Sequence, residues 1–369
     1  MDIKLMMYDV IEWKNKLWFS NSEFNGLFCM DKITYEVTFI DFFPNEKIEY
    51  TLLHRWIFGC GEKLFFIPFQ GRNVHIYDGK KIISIKLQDE NDCETLTVGS
   101  VYRIHDKVYL FPANVSRDLY VLDMKTCLVE IVSEFKEQLL RYPLYIENKL
   151  CAAAYIQISQ GFQEGNDIIF GYGYKWILQW NIERKELSLL NKESPDTPVY
   201  SLLEFDDKRW MYFSDGKISD IENWNEGKSV TYMIPAVNEN DVIFNAFRVN
   251  ESIYFIFDGA RILAKIKGKD QIYIDLNRRF GEICSHGFNM FVNTKNIENS
   301  MWIFSPARKG IIEITEDENI RMIKPEMSVQ ERKYFQKRYL SEMSMRFDET
   351  MMEQNCELNE FLEYIVDQR

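Results

Sequence analysis

The chain has 369 residues, 46% hydrophobic and 15% aromatic, with a formal net charge of -13 at pH 7. That much apolar material can bury a large core, and the length points to two domains or one large repeat fold. The negative charge disfavours a phosphate backbone or an anionic leaflet as partner, and no apolar run reaches bilayer length, so neither nucleic acid nor membrane is expected.

The N-terminus, Met1-Asp-Ile-Lys-Leu-Met-Met-Tyr-Asp9, lacks a basic stretch followed by an apolar run, and a cytoplasmic location is expected. The seven cysteines are odd in number, scattered and never spaced as CxxC, which predicts reduced thiols and no structural metal. No cofactor is implied.

An internal repeat organises most of the chain. Apolar triplets recur, each after a polar turn: Leu17-Trp18-Phe19, Leu64-Phe65-Phe66, Val108-Tyr109-Leu110, Ile168-Ile169-Phe170, Trp210-Met211-Tyr212, Ile253-Tyr254-Phe255 and Met301-Trp302-Ile303. Their centres step by 47, 44, 60, 42, 43 and 48 residues, the period of propeller blades. An apolar run precedes each triplet and two follow it, giving four short strands per unit, rich in Val, Ile, Tyr, Phe and Trp. The prediction is an all-β fold: a β-propeller of about seven blades, each four-stranded and antiparallel. The blades are placed at approximately 6–43, 52–89, 98–135, 152–193, 198–235, 242–277 and 281–326, forming one domain over 1–327. Blade five has the least regular pattern. The ring is expected to close either by pairing Asp2 to Leu5 onto the last blade or without exchanging a strand.

Leu119-Tyr-Val-Leu-Asp-Met-Lys-Thr-Cys-Leu-Val-Glu-Ile-Val132, and more loosely Leu27-Phe-Cys-Met-Asp-Lys-Ile-Thr-Tyr-Glu-Val37, resemble the repeats of the YVTN and quinoprotein-like, kelch-related propellers. In those, the third strand ends in Asp and turns through Thr into the fourth. The Gly-Gly pair of kelch repeats and the Trp-Asp ending of WD repeats are not present, and the resemblance implies the fold and no cofactor.

Two segments break the period. The step of 60 implies an insertion around Lys136 to Leu150, predicted as a short helix or long loop. After Pro325 the strand pattern stops, and 328–369 reads as a helical C-terminal appendage. Ser328 to Glu331 forms an S-x-x-E capping box, with Leu340, Met343, Phe347 and Met351 at helical spacing. A second short helix is expected at Leu358, Phe361, Leu362 and Ile365. The apolar stripe is expected to dock on the propeller.

The loops between second and third strands, on the face where propellers hold ligands, carry a cation in six of seven units: Arg72, Arg117, Lys175, Lys217, Arg261 and Arg308. Solvated strand-start residues account for such a pattern; a crown of positive charge that takes carboxylates or phosphates is the functional reading. First-strand residues His54, Arg55, Tyr102, Arg103 and His286, with Tyr8, Asp9, Trp56, Tyr155, Gln157, Tyr200 and Asn245, are candidates to line the channel. A one-residue slip reverses the face of any of them. The four histidines form neither HxH nor HExxH, and His75 and His105 read as structural or solvated. The expected function is a non-catalytic binding or scaffolding module for a protein, peptide or glycan partner of anionic character. The alternative is a propeller enzyme, a glycosidase, lyase or transferase, with its site at the channel mouth.

Overall fold

The computed structural model describes residues 4–48, 51–87, 98–113, 117–142, 158, 161–173, 175–190, 199–213, 215–221, 232–235, 242–257, 260–281, 292–306 and 308–354; of Tyr200 and of 344–354 only the backbone is described. It forms seven four-stranded antiparallel sheets, each made of four consecutive strands in sequence order, so the chain is a seven-bladed β-propeller. The blades span 11–41, 54–86, 98–132, 162–189, 199–233, 243–275 and 293–323.

Every predicted triplet lies in a second strand. All seven hairpins into that strand have two-residue loops, closed by the pairs Trp13–Lys16, Cys60–Lys63, Ile104–Lys107, Glu164–Asp167, Phe205–Lys208, Val249–Ser252 and Ile297–Ser300. Their first loop residues, Lys14, Gly61, His105, Gly165, Asp206, Asn250 and Glu298, have positive φ. Such turns match the right-handed twist of the strands they join. Measured from these hairpins, the residue matching Trp18 and Tyr254 in blade 5 is Trp210, one before the centre assigned from sequence. The third strands of blades 1 to 3 close on Asp31, Asp78 and Asp123, whose carboxylates accept two amides of the following turn. This is the physical basis of the Asp-to-Thr signature.

First strands of neighbouring blades touch, as 11–13 does 54–60 and 199–205 does 243–249, so they form the inner wall. The core is divided among the junctions. Phe65, Ile67 and Val74 of blade 2 pack with Val108, Leu110 and Leu122 of blade 3, and Phe205 and Trp210 of blade 5 with Phe255 and Ala264 of blade 6. A lone blade exposes two apolar faces that only its neighbours cover, hence the strict repetition.

Helix α1 (Ser133–Leu139) begins the predicted insertion and buries Phe135 and Leu139 against blades 3 and 4; the insertion from 143 on lies outside the described residues. Helix α2 (Leu276–Phe280) follows blade 6, capped by Asp275, which accepts the Arg278 amide. Among the described residues the ring closes without strand exchange, since blade 7 holds four strands of its own.

The chain leaving blade 7 runs along the outer edge of blade 1. Val37 N donates to Glu326 O at 2.8 Å, and Glu326 N to Tyr35 O at 3.3 Å. Helix α3 (Val329–Gln354) then docks there. Ser328 Oγ accepts the Glu331 amide at 3.2 Å, as the capping box predicts. The Glu331 carboxylate instead accepts the Phe39 amide at 2.8 Å, covering an edge donor of blade 1. The docking residue is Phe335, fully buried against Phe24, Phe28, Phe39 and Phe42, with Tyr339 one turn on. This corrects the expected stripe. Leu340 is 57% exposed because it follows Tyr339 by one position and turns about 100° away from the docked face. The Phe347 and Met351 side chains and the predicted second helix lie outside the described residues.

Candidate functional site

The inner strands carry a repeated irregularity that decides which side chains meet the channel. In blade 2, His54 pairs with Pro68 but Trp56 with Ile67, leaving Arg55 as an extra residue. Gly99, Tyr200 and Phe244 are the extra residues of blades 3, 5 and 6. A bulge of this kind changes the facing of every residue beyond it. Gly99 has a steric reason for its identity, since an added Cβ would stand 2.8 Å from the Ala113 Cα.

Beside the bulges runs a belt of bonds from blade to blade. Ser201 Oγ donates to Ile243 O at 2.7 Å, Asn245 Nδ2 to Thr294 Oγ1 at 3.1 Å, and Asn293 Nδ2 to Asp9 Oδ1 at 3.1 Å. Ile57 N donates to Asp9 Oδ2 at 2.9 Å, Arg55 Nη1 to Gly99 O at 3.1 Å, and Gly161 N to the Tyr102 hydroxyl at 2.7 Å. These bonds cross six of the seven junctions; the remaining one, between blades 4 and 5, is crossed by Arg209 and Glu164 at 2.7 Å. The belt was not anticipated from sequence, although a signal exists. Asp9, Ser201, Asn245 and Asn293 each stand nine residues ahead of an aromatic at the matching second-strand position: Trp18, Trp210, Tyr254 and Trp302.

Asp9 joins three blades, because Lys295 of blade 7 also lies 2.6 Å from its carboxylate. Burial pushes this carboxyl above its ordinary range, against the opposing pull of Lys295 and the Ile57 and Val10 amides. Arg55 is buried and has its guanidinium carbon 4.9 Å from the Tyr8 ring centre and 4.6 Å from that of Trp56. Tyr102 is buried, and its hydroxyl is pushed up to about 12, chiefly by burial. Tyr8, Arg55 and Tyr102 thus gather on the inner wall of blades 1 to 3.

His54 turns into the blade 1–2 junction. Its Nδ1 lies 2.9 Å from Ser20 Oγ and its Nε2 2.8 Å from His75 Nδ1, while His75 Nε2 lies 2.9 Å from Pro44 O. A carbonyl only accepts, so His75 Nε2 carries a proton; neutral His75 then accepts from His54, and His54 accepts from Ser20. Burial holds His54 well below its ordinary value and His75 at about 4. The relay anchors the connection between blades 1 and 2, which Asn25 also grips through Phe43 and Glu46. His75 is therefore structural, as expected, and the candidate His54 is its partner within the core.

Arg103 sits at the other end of its strand, beside the hairpin, where it donates to Gly59 O and His105 O, both at 3.0 Å. Arg248 occupies the matching position in blade 6 and pairs with Asp206 of blade 5. Blade-to-blade links circle this hairpin face: Lys14 with Glu62, Lys185 with Glu130, Lys265 with Glu318 and Lys32 with Glu298. His286 lies outside the described residues.

Five of the six loop cations fall between second and third strands, at the end opposite the hairpins, and Lys217 is the first residue of the third strand of blade 5 at that same end. They are not alike. Arg72 is exposed, and Arg117, Lys175 and Arg261 are half-buried. Lys217 pairs with Asp215 of its own loop. Arg308 is buried and donates to Gly281 O at 2.8 Å and to Asn277 Oδ1 at 2.6 Å, tying its loop to the end of blade 6.

The fold and this wall define a seven-bladed propeller of blade-to-blade bonded type. No family model and no curated protein sequence matches the chain. Among solved structures, a streptogramin B lyase is similar at 12% identity and TM-score 0.55, over 88% of this chain and 96% of that one. YCF48 from Cyanidioschyzon merolae is similar at 10% identity and TM-score 0.54, over 88% and 97%, and has also been solved bound to D1 peptide. PorZ of the Porphyromonas gingivalis type-IX secretion system is similar at 11% identity and TM-score 0.53, over 87% of this chain and 39% of that one. At these identities the likeness shows the fold alone. The neighbours are of the lyase, YCF48 and PorZ propeller type, and they do not carry the kelch-related resemblance further.

Proposed function

We propose that this propeller is a non-catalytic binding or scaffolding module, which presents its second-to-third-strand loops to a protein or peptide partner bearing carboxylates. One observation carries the reading: Asp9, Tyr102, Ser201, Asn245, Asn293 and Lys295 are bonded from blade to blade, so the described polar wall holds the ring together. The loop face, with Arg72 and Lys309 exposed, is then the surface offered to a partner. That YCF48 has been solved with a peptide supports a peptide as the kind of partner this fold accommodates. A glycan is the less favoured ligand, because among the described residues charge rather than an exposed aromatic platform marks this face. The free thiols of Cys29, Cys60 and Cys127 suit a reducing compartment, and a cytoplasmic location belongs to the same reading.

The test screens Asp/Glu-rich peptides against sequence-matched Asn/Gln peptides, with the intact chain and with the double variant Arg72→Glu, Arg117→Glu. Binding of acidic peptides that weakens with salt and is lost in the variant is the expected result. Equal binding by both proteins at low salt, or turnover of a small molecule, overturns it.

A further inference from the structure

On the hairpin face, two thiols and a lysine meet where blades 2 and 3 adjoin. Cys60 ends the inner strand of blade 2 and pairs in register with Lys63 across the two-residue hairpin. Lys63 reaches over to blade 3, where its Nζ donates to Cys127 Sγ at 3.5 Å. Cys60 Sγ donates to Asp106 Oδ1 of blade 3 at 3.8 Å, and Asp106 also holds Lys125 at 2.6 Å. Both thiols are half-buried, and Cys127 lies in the turn after Asp123. Nothing in the propeller-ring bonds requires this arrangement. The junction already has a polar link of its own in Arg103 to Gly59 O.

We propose that Cys127 and Lys63 form an oxidation site at which peroxide installs a covalent sulfur–nitrogen tie between blades 2 and 3. In the first step the Cys127 sulfur attacks one peroxide oxygen. The S–O bond forms, the O–O bond breaks, and the second oxygen leaves as water with the thiol proton; sulfur loses two electrons and peroxide gains them. In the second step Lys63, having given one proton to solvent, attacks the sulfenic sulfur. The S–N bond forms and the S–O bond breaks, and hydroxide departs as water with an amine proton, with no further oxidant. Sulfenic acids condense in this way with nearby nitrogen or thiol groups, and reducing thiols reverse the link. The lysine amine already lies against the sulfur, whereas Cys60 is turned toward Asp106, so nitrogen is the partner the geometry favours.

The test treats the full-length protein with hydrogen peroxide and maps its tryptic peptides by mass spectrometry. The expected product joins the Lys63 and Cys127 peptides with the loss of two hydrogens, blocks tryptic cleavage after Lys63, and disappears on treatment with dithiothreitol. Lys63→Arg keeps the positive charge and removes the amine nucleophile; it should lose the link while leaving the melting temperature close to that of the parent chain. Cys60→Ser should keep the link. Cys127 found instead in a disulfide with Cys60, trapped by dimedone as an unlinked sulfenic acid, or untouched at a dose that oxidises surface methionines would overturn the proposal.

Discussion

His54 and His75 show how a residue read as a candidate ligand becomes part of the core once its neighbours are known. Both are neutral in the fold, where burial holds His54 far below its ordinary value and His75 at about 4. In the unfolded chain a histidine titrates near 6.5. Between those values the unfolded state binds more protons, so stability falls as pH drops from about 6.5 toward 4 and is fully present above that window. The His75 shift alone corresponds to about 3 kcal/mol at its lower end. Replacing His75 by glutamine keeps a donor for Pro44 O and an acceptor for His54 without a titrating ring. The parent chain should therefore lose more of its melting temperature than His75→Gln does over that range. Parallel curves would show that the relay does not titrate with folding. The comparison also removes the opposing contributions of Asp9 and Glu46, whose carboxyls are raised by burial in both proteins.

Helix α3 depends on one side chain more than on its own helical propensity. An isolated helix is marginal in water, and this one gains its fixed position from Phe335 among four phenylalanines of blade 1. Phe335→Ala should cost about 3 kcal/mol, measured by urea denaturation, and should make the tail the first site of limited proteolysis. A change under about 1 kcal/mol with unaltered proteolysis would mean that the helix is held elsewhere, for which Tyr339 against Phe42, Glu331 to Phe39 and Arg338 to Asp41 are further ties. The S-x-x-E box announced where the helix starts. Which face docks followed from where blade 1 offers aromatic surface, which no helical periodicity encodes.

With no strand exchanged among the described residues, the first and last blades must be held together by other means. Asp9 does this most directly, bonding Asn293 and Lys295 of blade 7 and Ile57 of blade 2. Asp9→Ala strips all three and leaves Lys295 beside an empty site, so a loss of about 3 kcal/mol is expected by denaturant titration. Asp9→Asn, which keeps an acceptor, should lose less. Equal, small losses in both would shift closure to the apolar packing of Trp302 and Phe304 against blade 1. The ion pairs on the hairpin face contribute differently. Most are exposed, so each adds little and is weakened by salt.

Blade number, strand order, hairpin positions and the start of the tail helix were all legible in the sequence. The first three rest on local chemistry repeated seven times, an aromatic-bearing triplet and a two-residue turn that tolerates positive φ, joined in blades 1 to 3 by an aspartate that closes the third strand; the helix start rests on the single Ser328 to Glu331 box. The fate of the polar residues was not legible. Arg55, Tyr102 and His54 sit within a few residues of inner-strand bulges, and one inserted residue decides whether a side chain faces the channel, the next blade or the core. Arg103 and Arg308 reach back along the ring, Arg103 to Gly59 O of blade 2 and Arg308 to Asn277 and Gly281 O of the helix that follows blade 6, partners that no local pattern names. Strand periodicity is a property of one segment and can be read from it. A hydrogen bond between blades depends on how two segments 27 to 44 residues apart are rotated against each other, and only the closed ring sets that rotation.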